Sequence, residues 1–311
     1  MCSSDLRGVR NARGIAAGVV AIAALLTTVV ALQMARERRF PQAEPAQQIL
    51  YVNSPAVLTR LALSYDALVA DLYWIRAIQY YGGTRLSEQG DKSYELLFPL
   101  LDLTTSLDPD FNIAYEFGAF FLSEKKPGGP GQSDLAIKLL EKGLVARPDR
   151  WQYPYDIGFV HYRDGNYAVA ADWFERAAKT PGAMKQGERA DMWLIPLAAN
   201  TRATGGDTRS SRVIYEHLLT SEAAWLREDA ARRLKKLDAI DRIAELERRT
   251  REYERRFGDP PPTWEHMVQA GLLPGVPLDP EGHPYVLNPW WGDVTVSRDS
   301  PVWPLPTENP A

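Results

Sequence analysis

Tyr155, Tyr162 and Arg163 have the best claim to chemistry in this chain, and that chemistry is recognition. They sit seven and eight residues apart, roughly two turns of a helix, so they share one face. Aromatic rings beside a guanidinium give large contact area at low entropy cost, which suits the binding of a peptide. Catalytic constellations do not appear. His161, His217, His266 and His283 are far apart, and the sequence holds no H-E-x-x-H, no Cys/His cluster and no G-x-x-x-x-G-K-[ST]. The Gly-rich stretch from Pro127 to Gly131 lacks a following Lys-Ser or Lys-Thr and reads as a loop. Asp164 and Asp172 read as turn and helix-surface carboxylates. The reading is therefore a binding protein, with no enzyme activity, no cofactor and no metal.

What must position those residues is a repeat. Counting back thirty-four residues from Ala170, Phe174 and Ala177 lands on Ala136, Leu140 and Gly143. Small, large four later, small three later is the inner stripe of a short helix. Ile157-Gly158 stands twelve residues before Ala170 and lets a neighbouring helix approach closely. A period of 34 with this content resembles the tetratricopeptide repeat family, over roughly 68–219 and most strongly over 112–181. Pro154, Ile157-Gly158 and His161 take the W-x2-L-G-x2-Y positions, with Pro for Trp and His for Tyr. The resemblance implies an all-α solenoid of antiparallel helix pairs. It also implies a concave groove built from first helices. Carried over by position, the lining is Asn112, Tyr115 and Ala119 in one unit, and Gln152, Tyr155, Phe159, Tyr162 and Arg163 in the next. The partner expected in that groove is a protein or peptide.

Composition bounds the rest. Of 311 residues, 45% are hydrophobic and 24% charged, enough for a sizeable core. Net charge is −4, and the basic run 227–256 is interleaved with acids, so it reads as a solvated helix face rather than a nucleic-acid site. Nearly all of 15–32 is Ala, Val, Ile and Leu, at the lower end of membrane-spanning length. This predicts an uncleaved single-pass anchor over 15–34, with the bulk of the chain outside at a bacterial cell envelope. Residues 1–6 look like a translated adapter fragment, so the lone Cys2 carries no functional weight.

The predicted organisation is a tail at 1–14, the anchor, a linker at 35–53, helical repeats over 54–221, a long charged capping helix over 222–257, a small module at 258–300 and a loose tail after Pro301. Val57, Leu58, Leu61, Leu68, Leu72 and Ile75 recur at helical spacing in the first helical stretch, which Gly82-Gly83 should end. In the module, Thr263-Trp264-Glu265, then Gly271-Leu272-Leu273, then Pro277 to Tyr285 resemble the carboxy-terminal part of type II secretion pseudopilins. That likeness implies a short helix and a turn entering a small hairpin. Calcium, known in such domains, would have to use Asp279, Asp293 or Asp299. The function expected is a membrane-anchored scaffold or adaptor. The alternatives are a structural subunit of a secretion or pilus-like machine, or an accessory factor to a membrane enzyme.

Overall fold

A computed structural model describes residues 20, 22–32, 34–35, 54–87, 92–185 and 189–307. The chain divides into two units, 1–53 and 54–311. In the first, the described residues are helical. The expected anchor is overturned: among the described residues, no helix is long and apolar enough to cross a membrane. Residues 15–19, 21 and 33 of the expected span lie outside the described residues. So do 1–14 and, apart from Ala35, the linker.

The second unit is mostly helical. Its helices are α1 (Pro55–Leu61), α2 (Asp66–Leu86), α3 (Leu97–Leu107), α4 (Asn112–Ser123), α5 (Ser133–Ala146), α6 (Gln152–Arg163), α7 (Tyr167–Ala178), α8 (Asp191–Thr204), α9 (Thr208–Leu218), α10 (Ala224–Phe257) and α11 (Trp264–Gln269). From α2 to α10 each helix packs against the next in the chain, and α4 also meets α6, as α8 meets α10. Short loops between long apolar faces leave the chain little alternative to this pairing. Pro127 to Gly131 forms the expected loop between α4 and α5.

Small residues set the close approaches. A Cβ on Gly158 would stand 2.7 Å from the Phe174 ring and 3.1 Å from the Ala170 carbonyl oxygen. Ala170 is fully buried, and Phe174 is buried beside it. A Cβ on Gly118 would meet Leu101 and Leu139 at 2.9 Å. Ala170 and Phe174, two of the residues picked out by the 34-residue offset, thus stand at a helix crossing beside Gly158.

Two expectations fail in the first pair. Gly82 and Gly83 do not end α2, which runs on to Leu86. Each glycine costs a helix about 1 kcal/mol, but the flanking residues anchor these turns. Tyr80 donates to the Ser93 carbonyl at 3.0 Å. Tyr81 donates to the Glu124 carboxylate, which Arg85 also grips at 2.8 Å. The buried face of α2 is Ala70, Tyr73, Ala77, Tyr80 and Tyr81. Leu68, Leu72 and Ile75 are instead exposed.

The long helix α10 has 34 residues and stops at Gly258, which takes the left-handed conformation that caps helices. It does more than cap the array. Leu226, Ala230 and Leu237 pack with Ala199, Ala203 and Tyr215 of α8 and α9. Farther along, Ala239 and Leu246 join a second core with Trp264, Met267, Leu272, Tyr285 and Val294. That core carries a two-stranded antiparallel sheet, β1 (Val286–Leu287) against β2 (Val294–Thr295), with Val286 opposite Thr295. The segment after Pro301 is not loose: Val302 and Leu305 are buried in the same core.

The turn into the hairpin is knitted by one carboxylate. Asp279 Oδ1 accepts from the backbone amides of Glu281 and His283, each at 2.9 Å, and Oδ2 accepts from Ser300 Oγ. Burial alone would raise its pKa, but these donors outweigh it and hold the carboxyl below its ordinary value. Of the three carboxylates through which calcium would have to bind, that of Asp279 is thus engaged in holding the turn to Ser300.

Candidate binding groove

Three helices, the first residue of a fourth (Tyr167 of α7) and the terminal segment enclose one groove. α6 contributes Tyr155, Tyr162 and Arg163, and α8 contributes Trp193, Pro196, Leu197, Asn200 and Thr204. α10 contributes Trp225, Glu228, Asp229, Arg232, Arg233 and Lys236. Two clefts of about 530 and 710 Å³ share Asn200, Asp229, Arg232 and Arg233, so they run into one another. Pro301 and Pro304–Thr307 wall the second cleft.

The two ends differ chemically. At the first, Tyr155, Trp193 and Trp151 pack edge to face, with centroids 5.4–6.0 Å apart. Trp193 remains 40% exposed, and Trp225 across the cleft 51%. At the second, Arg163 lies 6.0 Å over the Phe120 ring, and Tyr162 is 37% exposed. Lys236 donates to the Pro304 carbonyl at 2.7 Å. Burial, with the Arg233 charge beside it, pulls the Lys236 ammonium below its ordinary pKa.

A polar clasp joins the ends. Asp229 pairs with Arg232 at 3.0 Å and Arg233 at 2.7 Å, and Arg233 donates to Asn200 Oδ1 at 2.8 Å. This ties α10 to α8. Across the lining, four cations (Arg163, Arg232, Arg233 and Lys236) face two carboxylates (Glu228 and Asp229). The groove therefore has an aromatic end and a net positive end.

The expected lining divides. Tyr155, Tyr162 and Arg163 are brought to the groove. Phe159 is 41% exposed and stacks on Tyr155 at 6.4 Å, beside the cleft rather than in it. Gln152 is half-buried outside it. Asn112 accepts a hydrogen bond from Tyr153 at 2.8 Å and so bridges α4 to α6. Tyr115 and Ala119 are corrected to the core. Tyr115 is fully buried against Tyr153, and its hydroxyl donates to the Thr105 carbonyl at 3.3 Å. Ala119 lies on the same buried face of α4. The outward side of α4 is Ile113, Phe117 and Phe120.

Trp193, Asn200, Trp225, Arg232, Arg233 and Lys236 were missed. The signal for those on α10 is a second stripe on that helix. Trp225, Glu228, Asp229, Arg232 and Lys236 recur at helical spacing beside the apolar stripe of Leu226, Ala230 and Leu237. Part of the basic run read as a solvated face thus lines the groove. Among the described residues, no group of three His, Cys, Asp or Glu is placed to hold a metal ion. One acid behind the groove is perturbed: Asp156 is pushed up to about 7 by burial and the Glu116 charge, against the opposing pull of Arg150.

No family model, no curated protein and no solved structure matches the chain.

Proposed function

We propose that this protein is an adaptor that holds an extended segment of a partner protein in the groove between α6, α8 and α10. The observation that carries the reading is the pairing of half-exposed indoles, Trp193 and Trp225, with an excess of cations in one continuous cleft. Indoles anchor side chains through desolvated area, and guanidiniums accept carboxylates. The best ligand is therefore a segment with an apolar anchor at one end and acidic residues at the other. A tetratricopeptide-like solenoid is the finer fold reading. It draws support from the 34-residue offset and from the contacts of Gly158, Ala170 and Phe174 at the helix crossing. Such arrays present concave faces to extended ligands.

The test is selection from a random peptide library on the full chain, followed by affinity measurement on Trp193→Ala and Trp225→Ala. Selected peptides should bind the parent and lose about thirty-fold in affinity on a single indole truncation, about 2 kcal/mol. Melting of the Trp225→Ala variant should stay at the parental value. Peptides that bind the two variants as well as the parent, or no enrichment at all, would remove the groove as the binding site.

A further inference from the structure

The positive end of the groove holds more charge than its own carboxylate cancels. Arg163 comes to it from the end of α6, and Arg232, Arg233 and Lys236 come from α10. Asp229 is the single carboxylate among the described residues that line this cleft. It is shared between Arg232 at 3.0 Å and Arg233 at 2.7 Å. The other two cations are held by neutral groups. Arg163 donates to Ser123 Oγ at 3.5 Å and lies over the Phe120 ring, and Lys236 donates to the Pro304 carbonyl. Neutral partners fix a cation in place without cancelling its charge. Four cations less one carboxylate leave three positive charges in the lining. Taking such charge partly out of water is costly, and the lowered pKa of the Lys236 ammonium reflects that cost.

The arrangement favours a compact anion of more than one charge. The cations approach from two helices, and Arg232 and Lys236 stand one turn apart on α10, a rise of about 6 Å. Tyr162 and Tyr167, whose hydroxyls donate, belong to the same lining. A carboxylate cancels one charge of the three. A phosphate monoester carries about two near neutral pH and offers three strong acceptor oxygens. The surplus is also local. From Asp238 to Phe257, α10 carries six arginines and six acids, so it offers no continuous positive track for a nucleic-acid backbone. Resting on the reading of the groove as a peptide site, we infer that its positive end receives a phosphorylated side chain of the partner segment. The rival source of negative charge is the chain itself: Glu308 follows Thr307 of the cleft wall and lies outside the described residues.

The test is a peptide array on the full chain, with a fixed leucine and, at varied distance from it, one fixed phosphoserine, phosphotyrosine, glutamate or serine. At one spacing a phosphorylated peptide should bind about ten-fold tighter than its glutamate counterpart, as one added charge-assisted contact predicts. Inorganic phosphate at millimolar concentration should displace it. Arg163→Gln and Lys236→Gln, each melting with the parent, should cut that preference to about three-fold or less. Phosphorylated and glutamate peptides that bind alike, while Trp193→Ala still weakens both, would overturn the phosphate and leave the groove standing. Indifference of every peptide to Trp193→Ala would overturn the groove reading and this one with it. A preference that survives both cation variants lies at another site and also overturns the proposal. So would inorganic phosphate binding as tightly as the phosphopeptide, which makes the ligand a free anion. A preference seen only in Glu308→Gln would do the same, because the chain's own carboxylate is then the occupant.

Discussion

Replacing one glycine with alanine should have opposite signs at two places in this fold. In a helix interior the change is intrinsically favourable by about 1 kcal/mol. At Gly83 of α2, nothing lies within 4 Å of the added methyl, so the full gain should appear. At Gly158 the same methyl would stand 2.7 Å from two atoms of the Phe174 ring and 3.1 Å from a backbone carbonyl. The ring cannot swing aside, because Phe174 is 1% exposed and packs against Tyr155, with centroids 5.6 Å apart. Overpacking of this kind costs about 1–3 kcal/mol, which exceeds the propensity gain through most of its range. The expected net is a loss of about 1 kcal/mol for Gly158→Ala and a gain of similar size for Gly83→Ala. For a unit of this length, 1 kcal/mol moves the melting temperature by about 2–4 °C. Thermal melts followed by circular dichroism at one protein concentration would separate the two variants by several degrees. If Gly158→Ala melts at or above the parent, the close crossing of α6 and α7 is wrong, and with it the packing argument built on the 34-residue offset.

The remaining predictions concern other parts of the fold. Ala170→Trp, at a fully buried position, should lower stability by about 1–3 kcal/mol in the same melts. Asp156 in the folded protein gives up its proton only near 7, whereas the unfolded chain does so near 4. Folding therefore weakens as pH rises through that window, and Asp156→Asn should flatten the decline and melt above the parent at pH 8. Asp279 has the reverse sign, because its pKa is lowered on folding. Its contribution is present at neutral pH and is lost as pH falls below about 4. Asp279→Asn should cost about 1–3 kcal/mol at pH 7, with much less penalty in acid; equal penalties at both pH values would disprove the role. Deleting 301–311 removes Val302 and Leu305 from their core, so it should lower the melting point and expose Trp264 to a fluorescence quencher. An unchanged melt would return that segment to a loose tail.

Helix positions were largely legible because Pro and Gly punctuate this chain. Asp108-Pro109, Pro127–Gly131 and Gly205-Gly206 all fall between helices. The small-large-small stripes also landed on real crossings, since such residues are constrained by sterics that periodicity records. What was lost had identifiable physical causes. Gly82-Gly83 looks like a stop, yet side-chain anchors on both sides hold those turns helical. The stripe of α2 resembles a core face, yet the opposite side of that helix, through Tyr73, Tyr80 and Tyr81, is the one that packs into the body. Tyr115 and Tyr155 occupy similar places in successive first helices. One meets a Tyr153 ring and is sealed, while the other meets Trp193 at the edge of a cleft. That difference belongs to the neighbouring helix, and periodicity within one helix does not carry it. The groove residues of α10 were hidden for the same reason: a charged stripe beside an apolar one reads as solvated until another helix is set opposite. Residues 15–32 are apolar enough to suggest a span, but among the described residues no helix is long and apolar enough to cross a membrane.

The helix that joins the two cores acts as a lever. Its first half is fixed among α8 and α9, and its second half carries the hairpin through Thr250, whose hydroxyl donates to the Gly292 carbonyl at 2.8 Å. An uninterrupted helix of 34 residues is a rod of about 50 Å. A tilt of about five degrees at its groove end would sweep its far end through roughly 4 Å, with no hinge between to absorb it. Trp290 and Trp291, at the hairpin tip and 81 and 76% exposed, ride on that end. A segment held between Trp193 and Trp225 would press near the fulcrum, and any tilt it caused would be largest at Trp290 and Trp291.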